Sequence, residues 1–320
     1  MRTRTLLTSL LATTAATGGL LLATPVAASA TPTVEVTTAA QLKTALADAR
    51  PGDTIHLADG TYTGNFKASV PATSSARITL TGSPGAVLTA GGGYGLHLNG
   101  ASYWTVSGLT VTGGQKGIMI DAAKGVIVDG VTVHGLDMEG VHFRNSSTDG
   151  VIRNSKIYDT GNDGSGMGEG VYVGTAGNLS DKSDRVQILD NTIGPDVGGE
   201  NVDVKEGTTG TQIIGNVFDG SGLTGANYDD SWVDVKGNAV LVQDNTGRNT
   251  SNDGYQTHTQ QSGWGCGTVF KGNKSTLTGA TGATQLAIDV TNNSSGCKTT
   301  VYSSNTVTGG KGLTNIPVTS

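Results

Sequence analysis

The sequence predicts a right-handed parallel β-helix, and three observations carry that prediction. Turn residues recur between short apolar runs at Gly108, Gly130, Asn154, Asn191, Asn216, Asn245, Asn273 and Asn305, with gaps of 22, 24, 37, 25, 29, 28 and 32 residues. A drifting period of this length marks a solenoid whose coils carry loop insertions. One five-residue strand pattern returns five times between Gly140 and His258. Nothing between those strands has the amphipathic period that a barrel or a doubly wound sheet needs.

Residues 1–30 read as a secretory signal peptide. Arg2 and Arg4 precede an apolar stretch from Leu6 to about Ala23, and Ala28, Ser29 and Ala30 form a small-residue cleavage site. Residues 31–320 then form a single β-helix domain of an exported protein. No later apolar stretch is long enough to cross a bilayer.

An open solenoid end exposes core and strand edges, so it needs a cover. Thr38 is placed to cap a short helix whose Leu42, Ala45, Leu46 and Ala49 make one apolar stripe, stopped by Pro51 and Gly52. At the other end, Cys266 lies seven residues before Asn273, and Cys297 eight before Asn305. Equivalent places on consecutive coils bring two Cα atoms to about the separation a disulfide requires, and two cysteines in an exported chain favour that bond.

The repeated strands span residues 140–144, 170–174, 201–205, 232–236 and 254–258. Their second and fourth residues are mostly apolar and face inward, so the third and fifth face outward. Stacked as rungs roughly 4.8 Å apart, they give one outward column of His142, Tyr172, Asp203, Asp234 and Gln256. A second column holds Arg144, Gly174, Lys205, Lys236 and His258. The longest insertions, at 159–170, 175–184, 219–230 and 259–265, flank these strands and are placed to wall a groove over them.

Composition narrows the ligand. The chain has 50 glycines without a three-residue period, which excludes collagen, and carries a net charge of −6 that becomes −8 once Arg2 and Arg4 are removed. An acidic surface is a poor binder of nucleic acid or anionic membrane, so neither is an expected partner. The expected partner is an acidic polysaccharide met by the local cations of the ladder, with the protein as a monomer.

Residues 38–63 (TAAQLKTALADARPGDTIHLADGTYT) resemble the N-terminal segment of secreted β-helix polysaccharide lyases, the alginate lyase/chondroitinase B group, over roughly residues 35–113. Residues 198–205 (GGENVDVK) and 229–236 (DDSWVDVK) resemble alginate lyases of polysaccharide lyase family 31. This resemblance implies a pectate-lyase-like solenoid and a catalytic tyrosine and lysine on its concave sheet, matched here by Tyr172 and Lys205. Calcium-dependent pectate lyases have a loosely similar pattern, but their acidic cluster is not completed in the sequence, so no cofactor is expected, with calcium as the open alternative.

Polyuronate β-elimination removes the C5 proton, expels O4, and needs the neighbouring carboxylate neutralised. Arg144, Lys236 and His258 are the candidate cations. Lys205 is the candidate base, provided that flanking cations lower its pKa, and Tyr172 is the candidate acid, able to serve as base too in a syn elimination. Asp203 would orient Lys205 or bind sugar hydroxyls, alongside His142, Asp234 and Gln256, and Trp232 would offer an outward face to a pyranose ring. Alternatives are a polyuronate hydrolase using paired carboxylates, a C5-epimerase, and a non-catalytic carbohydrate-binding or adhesin solenoid. Solvated cross-strand ion pairs would also give the Asp–Lys pattern.

Overall fold

Three strands per coil build the molecule, a right-handed parallel β-helix. The computed structural model describes residues 33–320, so the predicted signal peptide lies outside the described residues. One sheet has twelve strands and the other two have ten each. A representative coil runs through Val202–Val204, Gln212–Ile214 and Val217–Asp219, and each strand pairs in parallel with its counterpart one coil later.

Register stacks like on like through the core. Ile118, Val141, Val171, Val202, Val233, Tyr255 and Ile288 are aligned partners on consecutive rungs, and all are buried. The expected cap is present as a helix at Ala39–Asp48. Thr38 accepts from the Gln41 backbone N–H, the Gln41 side chain accepts from the Thr38 backbone N–H, and Leu42 and Leu46 are fully buried. Cys266 and Cys297 are bonded, with Cα atoms 4.7 Å apart.

The turn landmark resolves into two adjacent columns. Asn191, Asn216, Asn245, Asn273 and Asn305 form a buried ladder in which each side-chain amide donates to the next asparagine's Oδ1 at 2.8–3.0 Å. The coil before them fills this place with Ser155, whose backbone N–H donates to Asn191 Oδ1. Gly108, Gly130 and Asn154 stand one position earlier, in a column shared with Asp190, Gly215, Asp244 and Gly272. All of these have positive φ, which glycine, asparagine and aspartate tolerate best. Two neighbouring turn positions with overlapping residue preferences therefore read as one.

Candidate active site

The ladder columns form as the sequence predicts. His142, Tyr172, Asp203, Asp234 and Gln256 are direct register partners along one ten-stranded sheet. Over its C-terminal half lies an open groove of ≈ 850 Å³, floored by Asp203, Lys205, Asp234, Lys236, Gln256 and His258. Two of the four predicted insertions line it, 219–230 through Thr224, Asn227, Tyr228 and Asp230 and 259–265 through Gln260, together with the turn at 281–284. The other two, 159–170 and 175–184, do not line it but touch those that do: Asn227 donates to Gly166 O at 3.4 Å, and the Lys182 ammonium sits 4.7 Å from the Trp264 ring centroid.

A third outward column runs beside the other two, and the sequence pattern did not reveal it. Lys116, Glu139, Glu169, Glu200, Ser231 and Asp253 each stand three residues before the corresponding residue of the His142–Gln256 column or its extension at Met119. The first residue of each five-residue strand lies at the corner between two sheets and faces inward, so strict alternation ends there. A Cβ on Gly140 would come within 2.6 Å of Gly170 O and 2.7 Å of the Ile157 side chain. The recurring acid before that corner, at Glu139, Glu169 and Glu200, was the signal available.

The same corner overturns the expectation for Trp232. Its side chain is 0% exposed, its indole N–H donates to Arg248 O at 2.9 Å, and it meets Tyr255 edge to face at 5.6 Å. Gly247 and Gly254 leave the space it fills. Trp232 is core, not a sugar platform. The exposed aromatic at the groove is Tyr228, 88% exposed on the 219–230 insertion, with positive φ at both Asn227 and Tyr228.

Two more expected ligands are occupied by the protein itself. Arg144 is committed to Asp121, with donors 2.6 and 3.1 Å from the two carboxylate oxygens, and so is not an available cation. Burial works to raise Asp121, but hydrogen bonds from His97 and Arg144 hold it well below the usual carboxylate range. His142 is 3% exposed, and its Nε2 donates to Gly174 O at 2.8 Å. Its ring supports Tyr172 edge-on at 4.3 Å instead of reaching the groove.

The floor holds alternating charges. Lys205 lies 2.5 Å from Asp203, and Lys236 lies 3.1 Å from Asp203 and 2.5 Å from Asp234. The flanking cations expected around Lys205 are thus replaced by a carboxylate at closest range. Asp203 stays below the ordinary carboxyl range despite the opposing effect of burial, because both ammoniums favour its charged form. Lys236 is pushed well above the ordinary lysine range by Asp203 and Asp234, again against burial. Gln256 donates to Asp230 and Asp253 at 2.9 Å each and accepts from His258 Nε2 at 2.9 Å.

Tyr172 sits one rung before Asp203, with the Lys205 ammonium 5.2 Å from its ring centroid. Burial, then Asp203 and Glu169, push its phenol well above the ordinary tyrosine range. That keeps the hydroxyl protonated in the free protein.

Glu169, Glu200 and Asp203 bring carboxylate oxygens within 4.8 Å of one another, an acidic cluster the sequence did not show to be complete. Its three buried carboxylates are hard oxygen donors; Asp203 also meets two ammoniums, whereas Glu169 and Glu200 meet none among the described residues.

Residues 94–178 match the family described as right handed beta helix region. The chain is similar to the alginate lyase from Paenibacillus sp. strain FPU-7, with 39% identity, a TM-score of 0.84, and coverage of 91% of this chain and 100% of that one. It also shares its fold with pectate lyase Pel9A, at 14% identity and a TM-score of 0.57 over 87% of this chain and 75% of that one. A third likeness is to pectate lyase Bsp165PelA from Bacillus sp. N165 in complex with trigalacturonate, at 12% identity and a TM-score of 0.53 over 77% and 82%. No curated protein matches the chain.

Proposed function

The chain belongs to the family of parallel β-helix polysaccharide lyases that includes the Paenibacillus alginate lyase, and from that premise we propose that it cleaves a 4-linked polyuronate, alginate first, by β-elimination. The observation that carries this reading is the pairing of Tyr172 and Lys205 on adjacent rungs, facing one side of the sheet, ring and ammonium 5.2 Å apart. Both groups can address one uronate lying along the solenoid axis. The protonated phenol gives its proton to O4 as the C4–O4 bond breaks. Lys205, released from Asp203 and in its amine form, takes the C5 proton, and the electron pair left on C5 becomes the C4–C5 double bond.

Asp203 orients Lys205, and His258 closes the groove beside Gln256. A hydrolase built on Asp203 and Asp234 finds little support, because both carboxylates are buried and share Lys236. Export fits the same picture: residues 1–30 have the form of a signal peptide, and the Cys266–Cys297 bond suits an oxidising compartment.

The test is ultraviolet absorbance of the unsaturated uronate, using the mature protein on poly-mannuronate, poly-guluronate, glucuronan and polygalacturonate, with and without a chelator. A rise on poly-mannuronate or poly-guluronate that survives chelation is the expected result. No rise on any of the four polymers would overturn the lyase reading for these substrates.

A further inference from the structure

One ring on the groove wall is not used by the fold. Tyr228 is 88% exposed, and among the described residues it is the only aromatic side chain left in solvent. It lines the groove, where the other ring on the lining is the imidazole of His258. Trp232 and Tyr255, on the strands beneath, are fully buried. The groove therefore offers a sugar one flat carbon face, and Tyr228 carries it.

The backbone fixes that ring in place. Asn227 and Tyr228 both have left-handed φ, 49° and 68°. Asparagine tolerates this region, whereas a bulky side chain there is an outlier. Such outliers persist only where the surroundings over-determine them, and they cluster at ligand clamps. Asp229, 0% exposed, accepts from the backbone N–H and the hydroxyl of Thr224 at 3.2 Å each, and its own N–H donates to Ala226 O at 2.9 Å. Asn227 donates to Gly166 O, and a Cβ on Gly166 would come within 2.5 Å of Ala226 O. The insertion is thus held from below and from its neighbour, while its ring stays free.

Register gives the place along the sheet. The insertion leads into Ser231–Val235, whose Asp234 is the partner of Asp203 on the preceding rung, the rung that ends in Lys205. Tyr228 accordingly stands beside the rung after Lys205. Resting on the lyase reading, we propose that Tyr228 is the platform of a sugar subsite next to the unit being cleaved, and that it selects mannuronate there.

The selection is stereochemical. A β-mannuronate ring, linked through equatorial bonds, turns the axial hydrogens of C1, C3 and C5 to one face. A phenol ring packs flat against them and buries carbon on carbon. An α-guluronate ring, linked through axial bonds, carries axial oxygens on both faces. Neither face lies flat on an aromatic ring, and either would desolvate an oxygen without giving it a partner.

The test is calorimetric titration with mannuronate and guluronate hexamers, in a Tyr172→Phe background so that the oligomer is not consumed. Tyr228, Tyr228→Ala and Tyr228→Phe are compared there, and KM and kcat of the single variants are measured on the polymers that wild type cleaves. Tyr228→Ala should bind the mannuronate hexamer roughly tenfold more weakly. Its KM on poly-mannuronate should rise to match, with kcat unchanged. Tyr228→Phe keeps the flat face and should behave as wild type, and guluronate affinity should move little in either variant. The ring supports no neighbour, so both thermal midpoints should stay at the wild-type value. Unchanged mannuronate affinity in Tyr228→Ala, an equal loss on both hexamers, or a phenylalanine variant as weak as the alanine one overturns the proposal. If wild type forms no unsaturated product, the lyase reading fails, and the titration still decides the platform. Mannuronate binding that is weakened in Tyr228→Ala and kept in Tyr228→Phe supports it, and no mannuronate binding with Tyr228 in place overturns it.

Discussion

The Lys236 ammonium lies 3.1 Å from the Asp203 carboxylate of the preceding rung. With its 2.5 Å contact to Asp234, it joins two consecutive strands across the groove floor. Removing it leaves two buried carboxylates short of a counter-charge. Lys236→Met should cost about 3–5 kcal/mol in urea unfolding at pH 7. Asp203 is held low in the folded state, so its contribution is present above pH ~4 and lost as pH falls through its folded value. The acid-side loss of stability should accordingly shrink in the Lys236→Met variant.

Tyr172 has no protein hydrogen bond to its hydroxyl among the described residues, while its ring packs on His142. Tyr172→Phe keeps the ring and removes only the proton donor. Product formation should fall by roughly 10²–10⁴-fold, with a thermal midpoint unchanged within experimental error. A large drop in the midpoint would mean that the hydroxyl holds the sheet together.

Glu169 is pushed up to about 8, chiefly by burial and then by Asp203 and Glu139. Its unfolded value is about 4.3, so between those two values the folded state binds more protons. Stability should therefore fall as pH rises through that window. In Glu169→Gln this slope should flatten, and the variant should gain on wild type progressively up to pH 8, measured as the difference between their urea midpoints.

Asn245 Oδ1 accepts from both the backbone and the side chain of Asn216, and its amide donates to Ile213 O and Asn273 Oδ1. Asn245→Ala strands several buried groups at once. At ~1–3 kcal/mol for each unsatisfied group, the variant should lose on the order of 3 kcal/mol or more. Asn154→Ala, one column earlier and exposed, should cost much less, apart from its contact with Asp129.

The ladder sheet was legible because its chemistry is periodic within each strand. Val171, Tyr172 and Val173 alternate in, out and in, and the same holds for Val202, Asp203 and Val204. Where the chain turns between sheets, the two-residue period stops carrying information. Trp232 and the column of Glu139, Glu169 and Glu200 lie at or just before that corner, and there the sequence pattern misplaced the one and passed over the other.

The amino-acid sequence alone determined the coil, the asparagine ladder and the capping helix, since each follows from local spacing or from repetition of like residues, whereas the choice of Tyr172 and Lys205 rests on the family resemblance of residues 198–205 and 229–236. Tertiary structure decided which charges neutralise one another. Arg144 meets Asp121 from 23 residues away, and Lys236 meets Asp203 from 33. Those distances along the chain are set by loop insertions of unequal length, and only the stacked register turns them into contacts of about 3 Å. Whether a carboxylate finds an ammonium or is left to keep a proton is thus a property of the stack.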